Sequence, residues 1–228
     1  MASLQKSSTV KDYQNFIREV YGVKNDRDFN TWEMLANTER FLMRGLKGIR
    51  KRDSEKASLN FIISMSWFAS LLNQLHVDLE EELWKRFPYA CSYCGACPCV
   101  CKETKVASRR KVTADESRRP KSISDFQHMF REIYPPEKRT LEHAGIHLAE
   151  EMGEFSEAAF IYRTAHQKED FDSLALEAAD VASCFFGAFN SLDVDMGGEL
   201  AARYYENCHV CHQAPCECSF GDTVSFKS

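Results

Sequence analysis

The sequence lacks a long hydrophobic run. The longest, LNFIISMSWFASLL from Leu59 to Leu72, falls short of the roughly 20 residues that a helix needs to cross a bilayer, so no membrane span is expected. No apolar segment follows Met1, which argues against a secretory signal and leads to the expectation of a cytoplasmic protein. Positive charge is not in excess either. The 29 Lys and Arg are outnumbered by 34 Asp and Glu, for a formal charge of −5 and a pI near 5.8, a balance that weighs against a dedicated nucleic-acid binder. With 228 residues, 44% of them hydrophobic, one large or two small packed domains are expected.

Against this background HLAEEMGEFSEAAF, His147 to Phe160, carries dense negative charge. On a helix, Leu148, Met152, Phe155 and Ala159 form an apolar stripe, and His147, Glu150, Glu151, Glu154 and Glu157 cluster on the opposite side. Like charges three and four residues apart repel by a few tenths of a kcal/mol per pair, and the first base downstream is Arg163. A solvated acidic face is the simpler reading of this segment taken alone. A bound cation is the sharper one.

The second segment that bears on this is LALEAADVASCFFGAF, Leu174 to Phe189, where Glu177 and Asp180 are the only charges in an otherwise apolar helix. Buried carboxylates without a counter-ion are costly. Glu177 and Asp180 share the i,i+3 spacing of Glu151 and Glu154, so two antiparallel helices would present four converging oxygen ligands, a set suited to Mg²⁺ or Mn²⁺. A di-iron bundle would need Glu-x-x-His on two helices, and neither Glu154 nor Glu177 has that histidine.

The combined pattern, E-E-x-x-E at Glu150, Glu151 and Glu154 followed by E-x-x-D at Glu177 and Asp180, with SLDVD at Ser191 to Asp195, resembles the MazG-like all-α nucleotide pyrophosphohydrolases over about Ser122 to Asn207. The resemblance implies hydrolysis of a nucleoside triphosphate to the monophosphate and pyrophosphate, with Mg²⁺ at Glu151, Glu154, Glu177 and Asp180. It also implies an assembly in which neighbouring units shape each active site. Glu150 is a candidate general base and equally a solvated glutamate. Lys138, Arg139, Arg163 and Lys168 are candidate phosphate contacts or surface charges.

Internal similarity divides the chain. VKDYQNFIREVY (Val10 to Tyr21) matches ISDFQHMFREIY (Ile123 to Tyr134) at an offset of 113, and NQLHVDLEEELWKRF (Asn73 to Phe87) matches NSLDVDMGGELAARY (Asn190 to Tyr204) at 117. The expected organisation is all-α: a first helical repeat over 1–101, a charged linker over 102–121, and a second repeat over 122–228, packed as a pseudo-dimeric bundle. By these offsets Glu151, Glu154, Glu177 and Asp180 correspond to Thr38, Phe41, Asn60 and Ile63. The first repeat therefore reads as a non-catalytic copy. Its Trp32, Phe41 and Trp67 are core or interface aromatics, or the lining of a base pocket.

Nine of the ten cysteines lie in CSYCGACPCVC and CHVCHQAPCEC. Their shared skeleton, C-x₂-C-x₄-C-x-C, uses Cys91, Cys94, Cys99 and Cys101 in one cluster and Cys208, Cys211, Cys216 and Cys218 in the other. Structural Zn²⁺ at each is the leading reading, with disulfides or an iron–sulfur cluster as alternatives. His209 and His212 are possible substitutes for a thiolate, and Cys184 reads as a core residue. The functional expectation is a Mg²⁺- or Mn²⁺-dependent nucleotide pyrophosphohydrolase acting as a homo-oligomer, a dimer of pseudo-dimers, with no membrane partner and nucleic acid disfavoured. The alternative is a zinc-organised protein that senses nucleotides without turnover.

Overall fold

The computed structural model of the chain describes residues 2–104 and 106–226. Lys105 of the expected linker and the extreme ends of the two expected repeats lie outside them. The described residues are helical, without strands. In chain order they form α1 (Val10–Ile17), a π-helical turn over Arg18–Gly22 that runs into α2 (Val23–Asp28), α3 (Thr31–Arg50), α4 (Ser54–Gln74) and α5 (Leu79–Arg86). After the first cysteine cluster come α6 (Ile123–Ile133), α7 (Leu141–Ala165), α8 (Lys168–Leu192), α9 (Met196–Arg203) and, beyond the second cluster, α10 (Phe220–Ser225). No described helix is long and apolar enough to cross a membrane.

Capping chemistry sets the helix starts. Thr9 and Asn30 each form a capping box, with Asp12 and Glu33 at N3 returning the bond; Ser122 and Thr140 accept from the N3 amides of Asp125 and His143. Each bond satisfies an amide that the helix itself leaves free. The short connections between α3 and α4 and between α7 and α8 make each pair an antiparallel hairpin.

Compactness divides the chain elsewhere than the repeats do. One unit comprises residues 1–78 together with 196–228; the other comprises 79–195. The first unit joins α1–α4 to α9 and the second cysteine cluster. The second joins α5 and the first cluster to α6–α8. Each unit thus takes its hairpin from one repeat and its short terminal helix and cluster from the other.

The bonds behind this exchange recur at the two sequence offsets. In the first unit the amide of Cys216 donates to the Val20 carbonyl at 2.7 Å; in the second the amide of Cys99 donates to the Ile133 carbonyl at 2.8 Å. Within the first unit Gln14 Nε2 donates to the Val77 carbonyl at 3.0 Å and Asn73 Nδ2 to the Gln14 carbonyl at 2.9 Å. Within the second, Gln127 Nε2 reaches Val194 at 2.7 Å and Asn190 Nδ2 reaches Gln127 at 3.0 Å. These amides sit inside the apolar core, where α4 and α8 are the central, most fully buried helices. Replacing Gln127 with Leu strands Asn190 Oδ1 and the Val194 carbonyl, both of which accept from Gln127 Nε2. We expect a loss of about 2–4 kcal/mol, read as a lower urea midpoint at unchanged m-value.

The exchange also predicts the behaviour of an isolated half. A fragment spanning Ser122–Ser228 has α6–α8 but not the α5 and Cys91–Cys101 segments that complete their unit. It is expected to expose apolar surface and self-associate, two copies lending each other α9 and the second cluster. Light scattering should find dimers or larger species; a monomer as heat-stable as the full chain would contradict this.

Candidate metal centres

In the first cluster the Sγ atoms of Cys91 and Cys101 are 3.8 Å apart and those of Cys94 and Cys99 3.9 Å. In the second, Cys208 to Cys218 is 3.9 Å, Cys211 to Cys216 3.8 Å and Cys216 to Cys208 3.5 Å. Sulfurs bound about 2.3 Å from one tetrahedral zinc stand about 3.8 Å apart, so both groups have the size of an occupied tetrahedron. Disulfide bonding requires about 2 Å, and all ten cysteines are free. Each group of four could hold a zinc ion.

The same tight turn builds both clusters. Cys91 N bonds to Ala96 O and Gly95 N to Cys91 O; Cys208 N bonds to Gln213 O and His212 N to Cys208 O. The left-handed position of the turn is filled by Gly95 at φ 70° in one and His212 at φ 58° in the other. Backbone amides also point at the sulfurs, Tyr93 to Cys91 at 3.5 Å and Val210 to Cys208 at 3.4 Å. The bond from Cys216 favours the Cys208 thiolate and brings its pKa down to about 4. Burial raises Cys94, but the amides of Val100 and Ala96 and the neighbouring thiols bring it down to about 6. Cys99 and Cys216 are pushed well up, the first by burial and the second by its bond to Cys208. Metal uptake must therefore release protons, and affinity should rise with pH. His209 lies outside the four-cysteine group; its Nδ1 faces the Tyr21 hydroxyl at 3.1 Å and its Nε2 is buried without a hydrogen-bond partner.

The α7–α8 hairpin brings together Glu151, Glu177 and Asp180, with one carboxylate oxygen from each within 4.8 Å of the others. The geometry has three consequences for the sequence expectations. Glu154 is exposed and outside this group, although its charge still acts on Glu177. Glu150 is exposed and also outside it. Glu177 Oε2 is buried with no hydrogen-bond partner. Burial, then the charges of Asp180, Glu154 and Glu151, hold the Glu177 carboxyl above its ordinary range.

Asp180 has a cationic partner that sequence reasoning missed. Arg86, on α5, donates to it twice, Nε to Oδ1 at 3.0 Å and Nη2 to Oδ2 at 2.5 Å. Even so, burial outweighs this pair and keeps the Asp180 carboxyl raised. The positive charge of Arg109 also acts on Asp180. One signal pointed to Arg86: at the offset of 117 it matches Arg203, whereas Lys85 matches Ala202.

Next to the carboxylates, His147 bridges two groups, with Nε2 3.0 Å from Glu151 Oε1 and Nδ1 3.4 Å from Cys184 Sγ. Cys184, expected to be plain core, is buried against this imidazole. Its bond, then that of Glu151, raises the His147 pKa to about 10. Among the suggested phosphate contacts, Lys138 pairs with Glu103 at 3.3 Å and Lys168 with Asp172 at 2.5 Å, both exposed. Arg139 is half-buried.

The corresponding positions of the other unit hold no carboxylate. Thr38 bonds to the Met34 carbonyl and Asn60 to that of Lys56. Phe41 and Ile63 line an apolar cavity of ≈ 100 Å³ with Trp67, Tyr204, His209 and Phe226. Trp32 is not part of its lining.

No family model, curated protein or solved structure matches this chain.

Proposed function

We propose that this protein is a Mg²⁺- or Mn²⁺-dependent nucleotide pyrophosphohydrolase, with its reaction centre on the α7–α8 hairpin and structural zinc in both cysteine clusters. The observation that carries the reading is the carboxylate group of Glu151, Glu177 and Asp180, with Glu177 Oε2 orphaned in a buried position. Carboxylates pressed together and partly desolvated repel one another, and a divalent cation relieves both costs. Glu151, Glu177 and Asp180 would hold the ion, with the charge of Glu154 adding to the attraction. Bound there, it supplies charge neutralisation for the polyphosphate and a more acidic water.

The chain's own groups do the rest. Glu150, exposed and next to Glu151 in sequence, would take a proton from an attacking water. Arg86 neutralises Asp180 through two bonds, and in this reading developing phosphate charge would compete for its planar fork. The all-oxygen carboxylate set and the four-sulfur sets differ in hardness, which supports Mg²⁺ or Mn²⁺ in one and Zn²⁺ in the others. Exposed Ile146, Phe160 and Ile161, on one side of α7, support self-association.

The test is a panel of nucleoside triphosphates incubated with zinc-replete protein and Mg²⁺. Monophosphate and pyrophosphate should appear in equal amounts and vanish with EDTA. Nucleotide binding without product would favour a sensor, a reading that the Arg86–Asp180 pair supports because it already satisfies one carboxylate.

A further inference from the structure

Arg139 is the cation whose position the fold explains least. It lies between the 3₁₀ turn at Pro136–Lys138 and the start of α7. Its guanidinium rests on α8 so closely that a Cβ at Gly187 would come 2.0 Å from Nη2. Its Nε is buried without a hydrogen-bond partner, and among the described residues no carboxylate pairs with it. Burial lowers its pKa, and only the weak acids Cys184 and Tyr134 act the other way. A glycine inside a buried helix costs about 1 kcal/mol relative to alanine, yet Gly187 is what leaves room for this side chain. A half-buried guanidinium with a buried, unpartnered Nε and no anion beside it is a costly arrangement.

Its surroundings indicate what the missing anion is. On α8, Glu177, Asp180, Cys184 and Gly187 follow one another along a single face. On the antiparallel α7 the facing residues are Glu154, Glu151 and His147. The strip runs from carboxylates, through the Glu151–His147–Cys184 contacts, to the bare guanidinium. From Asp180 to Gly187 is seven residues, about 10 Å along the helix. A ligand matching this strip has cations at one end and a chain of negative oxygens reaching towards the other.

Resting on the proposed carboxylate metal centre, we infer that Arg139 is an anion clamp that grips the end of a metal-bound polyphosphate remote from the carboxylates, with Gly187 leaving the space it needs. Arginine suits this role because its fork makes two parallel bonds to a phosphate. Arg139 therefore selects for a polyphosphate over a single phosphate.

The experiment is calorimetric titration of the zinc-replete full chain with inorganic pyrophosphate, tripolyphosphate or orthophosphate in Mg²⁺. The variants are Arg139→Ala, Arg139→Lys and Gly187→Ala, with Mn²⁺ affinity and Tm measured on each. Wild type should bind pyrophosphate and tripolyphosphate at least tenfold more tightly than orthophosphate. Arg139→Ala and Gly187→Ala should each erase that preference, and Arg139→Lys should retain part of it. Mn²⁺ affinity should stay within twofold, and the Tm of Arg139→Ala should hold or rise as an unpaired buried charge is removed. A purely structural arginine would instead lower the Tm and leave the preference intact, which overturns the inference. So would wild-type protein that binds no pyrophosphate, or binds it no more tightly than orthophosphate. Arg139-dependent pyrophosphate binding in a protein that turns over no nucleotide would sink the hydrolase reading and leave the clamp standing. Turnover unaffected by Arg139→Ala would do the reverse.

Discussion

Stripping metal from the cysteine clusters, or replacing Cys94 or Cys211 with Ser, is expected to destabilise the protein more than any other change considered. The reason lies in how little else holds these segments. Residues 87–101 and 207–218 contain no α-helix, and their folds rest on a few backbone bonds around sulfurs that repel one another as thiolates. Zinc held by the four sulfurs would supply folding free energy directly. We expect a loss of the order of 5 kcal/mol per cluster, which for a chain of this length lowers Tm by roughly 10–20 °C. Losing either cluster should also disturb the helical segment ahead of the hairpin in its own unit, because Cys99 is bonded to Ile133 at the end of α6 and Cys216 to Val20 in the π-helical turn after α1. Hydrogen exchange should therefore show α6 loosening in the Cys94→Ser protein and α1 loosening in the Cys211→Ser protein. Metal analysis of reduced wild type should find two zinc ions per chain. Oxidised, metal-free protein with unchanged Tm would refute the assignment.

The second large effect is expected at Glu177. Its carboxyl is raised by burial and by its acidic neighbours, so the metal-free folded state holds a proton more tightly than the unfolded chain does. A raised carboxyl contributes stability at low pH that is lost as pH rises from the ordinary carboxylate range through the raised value. Metal-free protein should therefore be more stable in mildly acidic than in neutral buffer, and Glu177→Gln should flatten that slope while raising Tm at neutral pH. A divalent ion should reverse the order. At a Mn²⁺ concentration of about 100 Kd, wild type gains roughly 2.7 kcal/mol, and Glu177→Gln should gain far less. Electron paramagnetic resonance of Mn²⁺ reports the binding itself. Equal Mn²⁺ uptake by both proteins would mean that the orphaned oxygen is not a ligand.

Much of this arrangement was legible in residue order, for identifiable reasons. The apolar stripe through Leu148, Met152 and Phe155 and the near-total burial of Val181–Asn190 follow from helical period, and they put Glu151, Glu177 and Asp180 at one place. The cysteine spacings carried their own geometry, because a C-x₂-C turn leaves little freedom. What stayed hidden was long-range. The similarity between Asn73–Phe87 and Asn190–Tyr204 says that the two segments are alike, not which hairpin each one joins. Hence the exchange of α5 and α9 was unforeseen, and with it Arg86, which is 94 residues from Asp180 in sequence. Glu154 was expected to converge with the other ligands. Helical spacing put it on the right face, but it is exposed and outside the close group. Cys184 is core as its apolar neighbours implied; its contact with His147 was not legible, because only the register of α7 against α8 creates it.

The exchange also bears on how one chain could carry a single reaction centre. The α3–α4 hairpin has no carboxylates at the corresponding positions, and Phe41 and Ile63 line an apolar cavity where Glu154 and Asp180 stand in the α7–α8 hairpin. Yet the first repeat still supplies α5, and through Arg86 it reaches Asp180 directly.

The most direct test is Mg²⁺-dependent release of pyrophosphate from nucleoside triphosphates by the zinc-replete full chain, wild type against Glu177→Gln, after both are shown to be folded with two zinc ions. The account predicts turnover by wild type and a loss of at least about 10²–10³-fold in the variant, with Tm retained or raised. Turnover in Glu177→Gln equal to wild type would place the chemistry elsewhere and contradict it.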